Sequence, residues 1–299
     1  MTYDTRRQIF YFGRRILFGI ISIAVAGAYK FGHFSHESSS HRHTGSSHSE
    51  SAPSSAGPTQ SGDATVGYWP GEPTYTAPLT VIHRIGYTTA YDVTTHTPRW
   101  VTYDIKSVSN PVSAKRPETF FPDPTIPSSD RVETREFSRT GFDRGHMAPN
   151  WAVSISYGRE AQEQSFFLTN VSPQSPDLNR GIWEELEKIE ANDYARRYNG
   201  VATCDGPIFT EADTKGIGLN NRIRVPSSFF KIIVRRYNGN ADVLAFIFPQ
   251  YGNGKGRAEM ERHLTTVQEI EKETGVHFLT NFTREERLRV DVSPARRMW

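Results

Sequence analysis

The chain has 299 residues, 36% of them hydrophobic, with 35 Lys and Arg against 33 Asp and Glu and a formal net charge of +2. So even a balance argues against tight nonspecific coating of nucleic acid, although a local Arg/Lys lining can still meet a phosphate backbone. The lone Cys204 excludes an intramolecular disulfide and gives no thiolate metal cluster; it is expected as a buried strand residue rather than a catalytic thiol.

In chain order, the first element is a targeting or anchoring segment over residues 1–32. Arg6, Arg7, Arg14 and Arg15 precede an uncharged apolar run from Ile16 to Tyr29, close to the length of a signal-peptide core and short for a spanning helix. Ala24-Val25-Ala26 offers a small-residue cleavage site. The arginines ahead of the run keep the N-terminus on the cytosolic or matrix side, so export or membrane anchoring of the remainder on the non-cytoplasmic side is the expectation. The alternative is a mitochondrial presequence, since those too are Arg-rich and acid-poor. Residues 33–66 are crowded with Ser, Gly and His and nearly devoid of large apolar side chains. Such a tract cannot bury enough surface to offset its ordering entropy and reads as a disordered tether. His33, His36, His41, His43 and His48 fix no ligand geometry there.

Residues 67–299 are expected to form a single domain with an ample core. Tyr87 to Asp92 and Arg99 to Ile105 alternate around THTP and predict an early hairpin. The segment GFDRGHMAPN, Gly141 to Asn150, then sets Asp143, Arg144, Gly145 and His146 side by side. A neutral imidazole takes a proton near physiological pH and a guanidinium holds phosphate, so the tetrad suggests phosphate chemistry. Taken alone it is weak, because a histidine beside an Asp-Arg pair is commonly structural.

An apolar, β-like run from Phe166 to Val171 follows, then a Pro/Ser/Asp loop and a helix starting near Asn179. Ile182, Leu186 and Ile189 recur at helical spacing as its buried stripe; Asn179, Trp183 and Glu187 follow at i, i+4 and i+8 on an adjoining face. In isolation Asn179 reads as an N-cap, Asn170 as a turn residue and Glu187 as a solvated charge. Farther on, Ser228 to Tyr237 and Asp242 to Phe248 flank an Asn238-Gly239-Asn240 turn, and Leu264 to Thr274 is a helix ended by Gly275. The predicted architecture is α+β, a central antiparallel sheet flanked by helices.

Taken together, FDRGHMAPN, TNVSPQ, DLN and WEELE resemble the DNA/RNA non-specific endonuclease family, the ββα-metal nucleases that include endonuclease G. The resemblance covers about residues 80 to 285, with the pieces in the family's order. It implies hydrolysis of phosphodiester bonds in DNA and RNA with one divalent cation, Mg²⁺ or alternatively Mn²⁺, leaving 5′-phosphate ends. By the same resemblance His146 is the general base, Asn179 the metal ligand, Glu187 the acid that binds metal-bound water, and Asn170 a polar residue that orients the site. Arg144 falls to phosphate and Asp143 to the hydrogen-bond network. The upstream phosphate arginine is Arg116, with Arg131, Arg135 and Arg139 competing. Implied partners are DNA and RNA, the membrane if the N-terminal segment is retained, and a second copy, since members often dimerise.

Three other readings compete. Ser156 or Ser172 with His146 and Asp143 would make a serine hydrolase, but no nucleophile elbow is present and Asp143 lies only three residues before His146. A catalytically inactive, membrane-tethered nucleic-acid-binding or adaptor module has no need of His146, Asn179 and Glu187 together. A small-substrate phosphodiesterase would share the chemistry and differ in what it admits.

Overall fold

Strand Ser228–Tyr237 runs through the interior: its residues Phe229 through Ile233 are all fully buried, so both faces of the strand are covered. It pairs on one side with Asn240–Pro249 and on the other with Val201–Ile208, both antiparallel. The complete sheet has seven strands, in the order Leu264–Thr265, Asn240–Pro249, Ser228–Tyr237, Val201–Ile208, Thr97–Ile105, Tyr87–Asp92 and Thr80–Arg84, and every pairing is antiparallel. A computed structural model of the chain describes residues 69–299 apart from 213, 214, 238 and 292. The expectations for residues 1–32 and 33–66 therefore lie outside the described residues.

Strand periodicity divides the core in two. Phe229 and Ile233 join Val101, Tyr103, Trp183, Leu186 and Phe246 on one face of the sheet, while Phe230 and Ile232 join Trp100, Cys204, Val267, Ile270 and Phe278 on the other. Helix Val267–Thr274 packs into the second face, capped by the Thr266 hydroxyl at its start and by Gly275 at φ +69° at its end. It begins later than its sequence suggests, because Leu264 and Thr265 are taken up as the outermost strand against Phe246 and Ala245. Cys204 is buried in strand Val201–Ile208, as expected.

The first face carries the motif segments. Strand Asp143–His146 and strand Val171–Gln174 form a separate two-stranded ribbon, with His146 opposite Val171 and Asp143 opposite Gln174. The apolar run Phe166 to Val171 is thus not a strand: Leu168–Asn170 is a 3₁₀ turn and the ribbon strand starts at Val171. Asn170 ends that turn with its side chain bonded outside it, to the Ala148 amide and carbonyl and the Ser165 carbonyl, a pattern that competes with the run's β propensity. Helix Ile182–Ile189 lies across the ribbon and sheet with Ile182, Trp183 and Leu186 buried. It is continued by a π-helical turn, Glu190–Tyr194. Trp183 therefore belongs to the buried stripe, not to a working face shared with Asn179 and Glu187. The helix also does not begin at Asn179. Ser175 caps a separate short helix, Pro176–Asn179, and Arg180 and Gly181 intervene.

Candidate active site

His146 ends the first ribbon strand, and the sequence around it fixes its ring. Gly145 is needed because a Cβ there would lie 2.0 Å from the Gln174 side-chain oxygen across the ribbon. Phe120 and Phe166 pack on the imidazole with ring centroids 4.8 Å away in each case. The Nε2 atom is sealed from solvent with no hydrogen-bond partner, and His146 lines the adjoining cleft. Asn170 sits beneath, fully buried. Its Nδ2 donates to the carbonyls of Ala148 and Ser165 at 2.9 Å each, and its Oδ1 accepts from the Ala148 amide at 2.8 Å. It touches no open space and acts by holding the backbone two residues beyond His146.

The second arm of the motif brings Asn179 to the same cleft. Its Nδ2 donates to Asp143 Oδ2 at 3.0 Å, which leaves its carboxamide oxygen for a ligand. Asp143 in turn accepts two bonds from Arg180, at 2.6 and 2.7 Å, so its charge is paired with an exposed guanidinium that itself lines the cleft. Glu187, in the second turn of helix Ile182–Ile189, lines the cleft with them. Among the described residues no three His, Cys, Asp or Glu side chains converge as a cation cage. The Asn179 oxygen is a hard donor, and a single neutral donor suits a cation that keeps most of its water, as Mg²⁺ does.

The cleft is about 590 Å³. Of the four candidates named from the sequence for the upstream phosphate arginine, Arg116 lines it; Arg131, Arg135 and Arg139 do not. Arg131 is turned onto the carbonyls of Ile126 and Pro124. The long loop carrying Arg116 is tied down where the Ala114 amide donates to Ser154 Oγ at 3.0 Å and Gln162 Nε2 donates to the Ala114 carbonyl at 3.2 Å. Arg144 also lines the cleft, with one nitrogen donating to the Thr134 carbonyl at 2.6 Å. Sequence reasoning missed Arg180, Lys188 and Trp151 on the wall. Only Arg180 had a signal, as a cation adjoining Asn179.

The match to known proteins agrees with this geometry. The family profile of DNA/RNA non-specific endonucleases covers residues 72–285. The chain belongs to the DNA/RNA non-specific endonuclease family. Human mitochondrial endonuclease G is 31% identical to it over 209 residues, 66% of this chain and 69% of that one. Mitochondrial nuclease 1 of Schizosaccharomyces pombe is 27% identical over 248 residues, 75% of this chain and 73% of that one. A solved chain of the EndoG/EndoGI complex shares the fold with a TM-score of 0.61 at 24% identity, over 69% of this chain and 88% of that one.

In this endonuclease the cleft controls protonation. Burial, and secondarily the Arg116 charge, push the His146 imidazole down from its usual 6.5 to about 3. It is therefore neutral throughout the physiological range, the form a base requires. Burial pushes the Glu187 carboxyl up to about 8, with Lys231 opposing and Glu190 and Asp205 adding to the rise. At neutral pH Glu187 holds its proton in much of the population, and its negative charge grows as pH rises. The sign for His146 is opposite to that of a salt-bridged histidine. Between about 6.5 and 3 the unfolded chain takes up a proton that the folded chain refuses, so its contribution to stability is present above 6.5 and lost as pH falls. An NMR titration of the metal-free protein, with the imidazole assigned through His146→Gln, should find this ring titrating well below 6.5. Arg116→Gln should raise that value, and a midpoint at or above 6.5 contradicts the burial argument.

Proposed function

We propose that the chain is a metal-dependent non-specific endonuclease that hydrolyses phosphodiester bonds of DNA and RNA, leaving 5′-phosphate ends. The observation that carries the reading is the meeting of His146 and Asn179, from the two arms of the motif, on one cleft with Arg116. His146 takes the proton of the attacking water. Arg116 and Arg144 hold the phosphate, and their charge favours the more negative transition state over the ground state. Asp143 orients the Asn179 amide and is itself neutralised by Arg180, so it does not repel the substrate. Asn179 is the residue that would hold Mg²⁺, with Mn²⁺ as the alternative, and Glu187 the acid that would hold its bound water. When bound, such a cation supplies Lewis-acid charge at the phosphate and the leaving 3′ oxygen. Asn170 positions the base and is not itself a catalytic group.

A plasmid-nicking assay on the full chain tests this. Cleavage of DNA and of RNA should require Mg²⁺ and stop with EDTA. Asn179→Ala should need a higher Mg²⁺ concentration for half-maximal rate, because the amide oxygen is a direct donor. Binding of DNA without nicking in the wild type, or cleavage that survives EDTA, would defeat the proposal. Human endonuclease G and the S. pombe nuclease are named as mitochondrial proteins. Those names support the mitochondrial reading of the Arg-rich N-terminus over export or membrane anchoring.

A further inference from the structure

Trp151 stands on the cleft wall in the first turn of helix Asn150–Tyr157, five residues beyond His146, and is 39% exposed. The helix buries Ala152, Val153 and Ser154 instead. Among the described residues no aromatic ring and no cation stacks on the indole. A scattered exposed hydrophobic side chain needs no function. What distinguishes this one is a shared cleft with the base and the phosphate arginine, and a backbone that fixes it relative to both. Asn170 clamps Ala148 from both sides, Pro149 starts the helix by accepting from the Val153 amide at 3.0 Å, and Asn150 Oδ1 accepts from Gln162 Nε2 at 2.7 Å. The same Gln162 amide holds the Arg116 loop through the Ala114 carbonyl. Indole, imidazole and guanidinium thus rest on one braced scaffold.

We propose that Trp151 is a base platform: an unpaired nucleobase beside the scissile phosphate stacks on its indole and sets the register of the strand in the cleft. Arg116 and Arg144 on the same wall fit the backbone of that strand, Arg180 and Lys188 there being paired with Asp143 and Glu184, and the exposed indole fits its base. A base inside a duplex is already stacked on its neighbours, so the platform favours single-stranded or locally opened DNA and RNA. The proposal rests on the nuclease reading above.

The test uses the full chain with Trp151→Ala and Trp151→Phe on a short oligothymidylate, its duplex with oligoadenylate, and an abasic oligomer of equal length. On the single strand Trp151→Ala should lose on the order of 5- to 150-fold in kcat/KM, the range of one base–aromatic stack, chiefly through KM. Trp151→Phe should keep most of the activity, and the loss on duplex should be smaller. In EDTA, oligothymidylate should quench tryptophan fluorescence in the wild type; the abasic oligomer should not, and Trp151→Phe should abolish the quenching. Wild-type cleavage rates in Trp151→Ala, or quenching that persists in Trp151→Phe, overturn the platform and leave the nuclease reading standing. A wild type that neither binds nor cuts overturns both.

Discussion

His146→Ala should lower kcat on the order of 10²-fold or more while leaving KM within a few-fold of the wild type. Positioned acid–base catalysis contributes at least that much, and the groups that would hold phosphate, Arg116 and Arg144, rest on the Phe166 and Phe120 rings rather than on the imidazole itself. Arg116 is positioned by its loop's ties to Ser154 and Gln162, and Arg144 by the Thr134 carbonyl. The ring does fill space between Phe120 and Phe166, so His146→Gln is the companion that keeps volume without supplying a base. Both variants should be equally inactive, and neither should recover as Mg²⁺ is raised, whereas Asn179→Ala should recover in part. The opposite pattern, with magnesium restoring His146→Ala but not Asn179→Ala, would mean that the two roles are exchanged. Steady-state kinetics on plasmid DNA at several Mg²⁺ concentrations separates the cases.

How far the site could be read from sequence follows from the physics of each residue. His146 and Asn179 were legible because their residue types lie in a fixed order and spacing that the family resemblance could anchor. The sheet was legible because two long strand pairs, Tyr87–Asp92 with Thr97–Ile105 and Ser228–Tyr237 with Asn240–Pro249, are rich in β-branched and aromatic residues and close over short turns. Asn170 was legible as important but not as buried. Its position at the end of an apolar run says nothing of the three backbone groups it satisfies. The face assigned to Trp183 failed for a related reason: i, i+4 spacing locates neighbours on a helix, but which neighbour is covered depends on Phe229 and Phe248, strand residues dozens of positions away. Trp151 and Lys231 were invisible for the same cause. An exposed tryptophan and a buried lysine both contradict composition, and only long-range packing decides them.

Lys231→Met should cost about 3–5 kcal/mol of stability at pH 7, the range for leaving a buried charge without its partner. The lysine is fully buried in strand Ser228–Tyr237, where Nζ donates to Asp205 Oδ2 at 2.5 Å and to Tyr103 Oη at 2.8 Å, and lies 3.5 Å from Glu190 and 4.4 Å from the Trp183 ring centroid. Burial disfavours its charge, yet Asp205, Glu190 and Glu187 outweigh that and raise its pKa. The carboxylates are held less well: burial pushes Asp205 up to about 7 even with the lysine present, and Glu190 is raised too. Glu190 enters this cluster through the π-helical turn directly after the helix that carries Glu187, so the network anchors the wall of the cleft as well as the sheet. Methionine keeps the volume but strands Asp205 and Glu190, whose folded pKa values must then rise further above their unfolded ones. Carboxyls shifted in that direction contribute stability below their unfolded pKa and lose it as pH climbs through the folded value. Denaturation of Lys231→Met should therefore show its largest deficit against wild type at pH 8, a smaller one at pH 5, and partial recovery at pH 8 on adding Asp205→Asn. A deficit that grows on acidification, or none at pH 7, would show that the lysine is not what keeps these carboxylates inside.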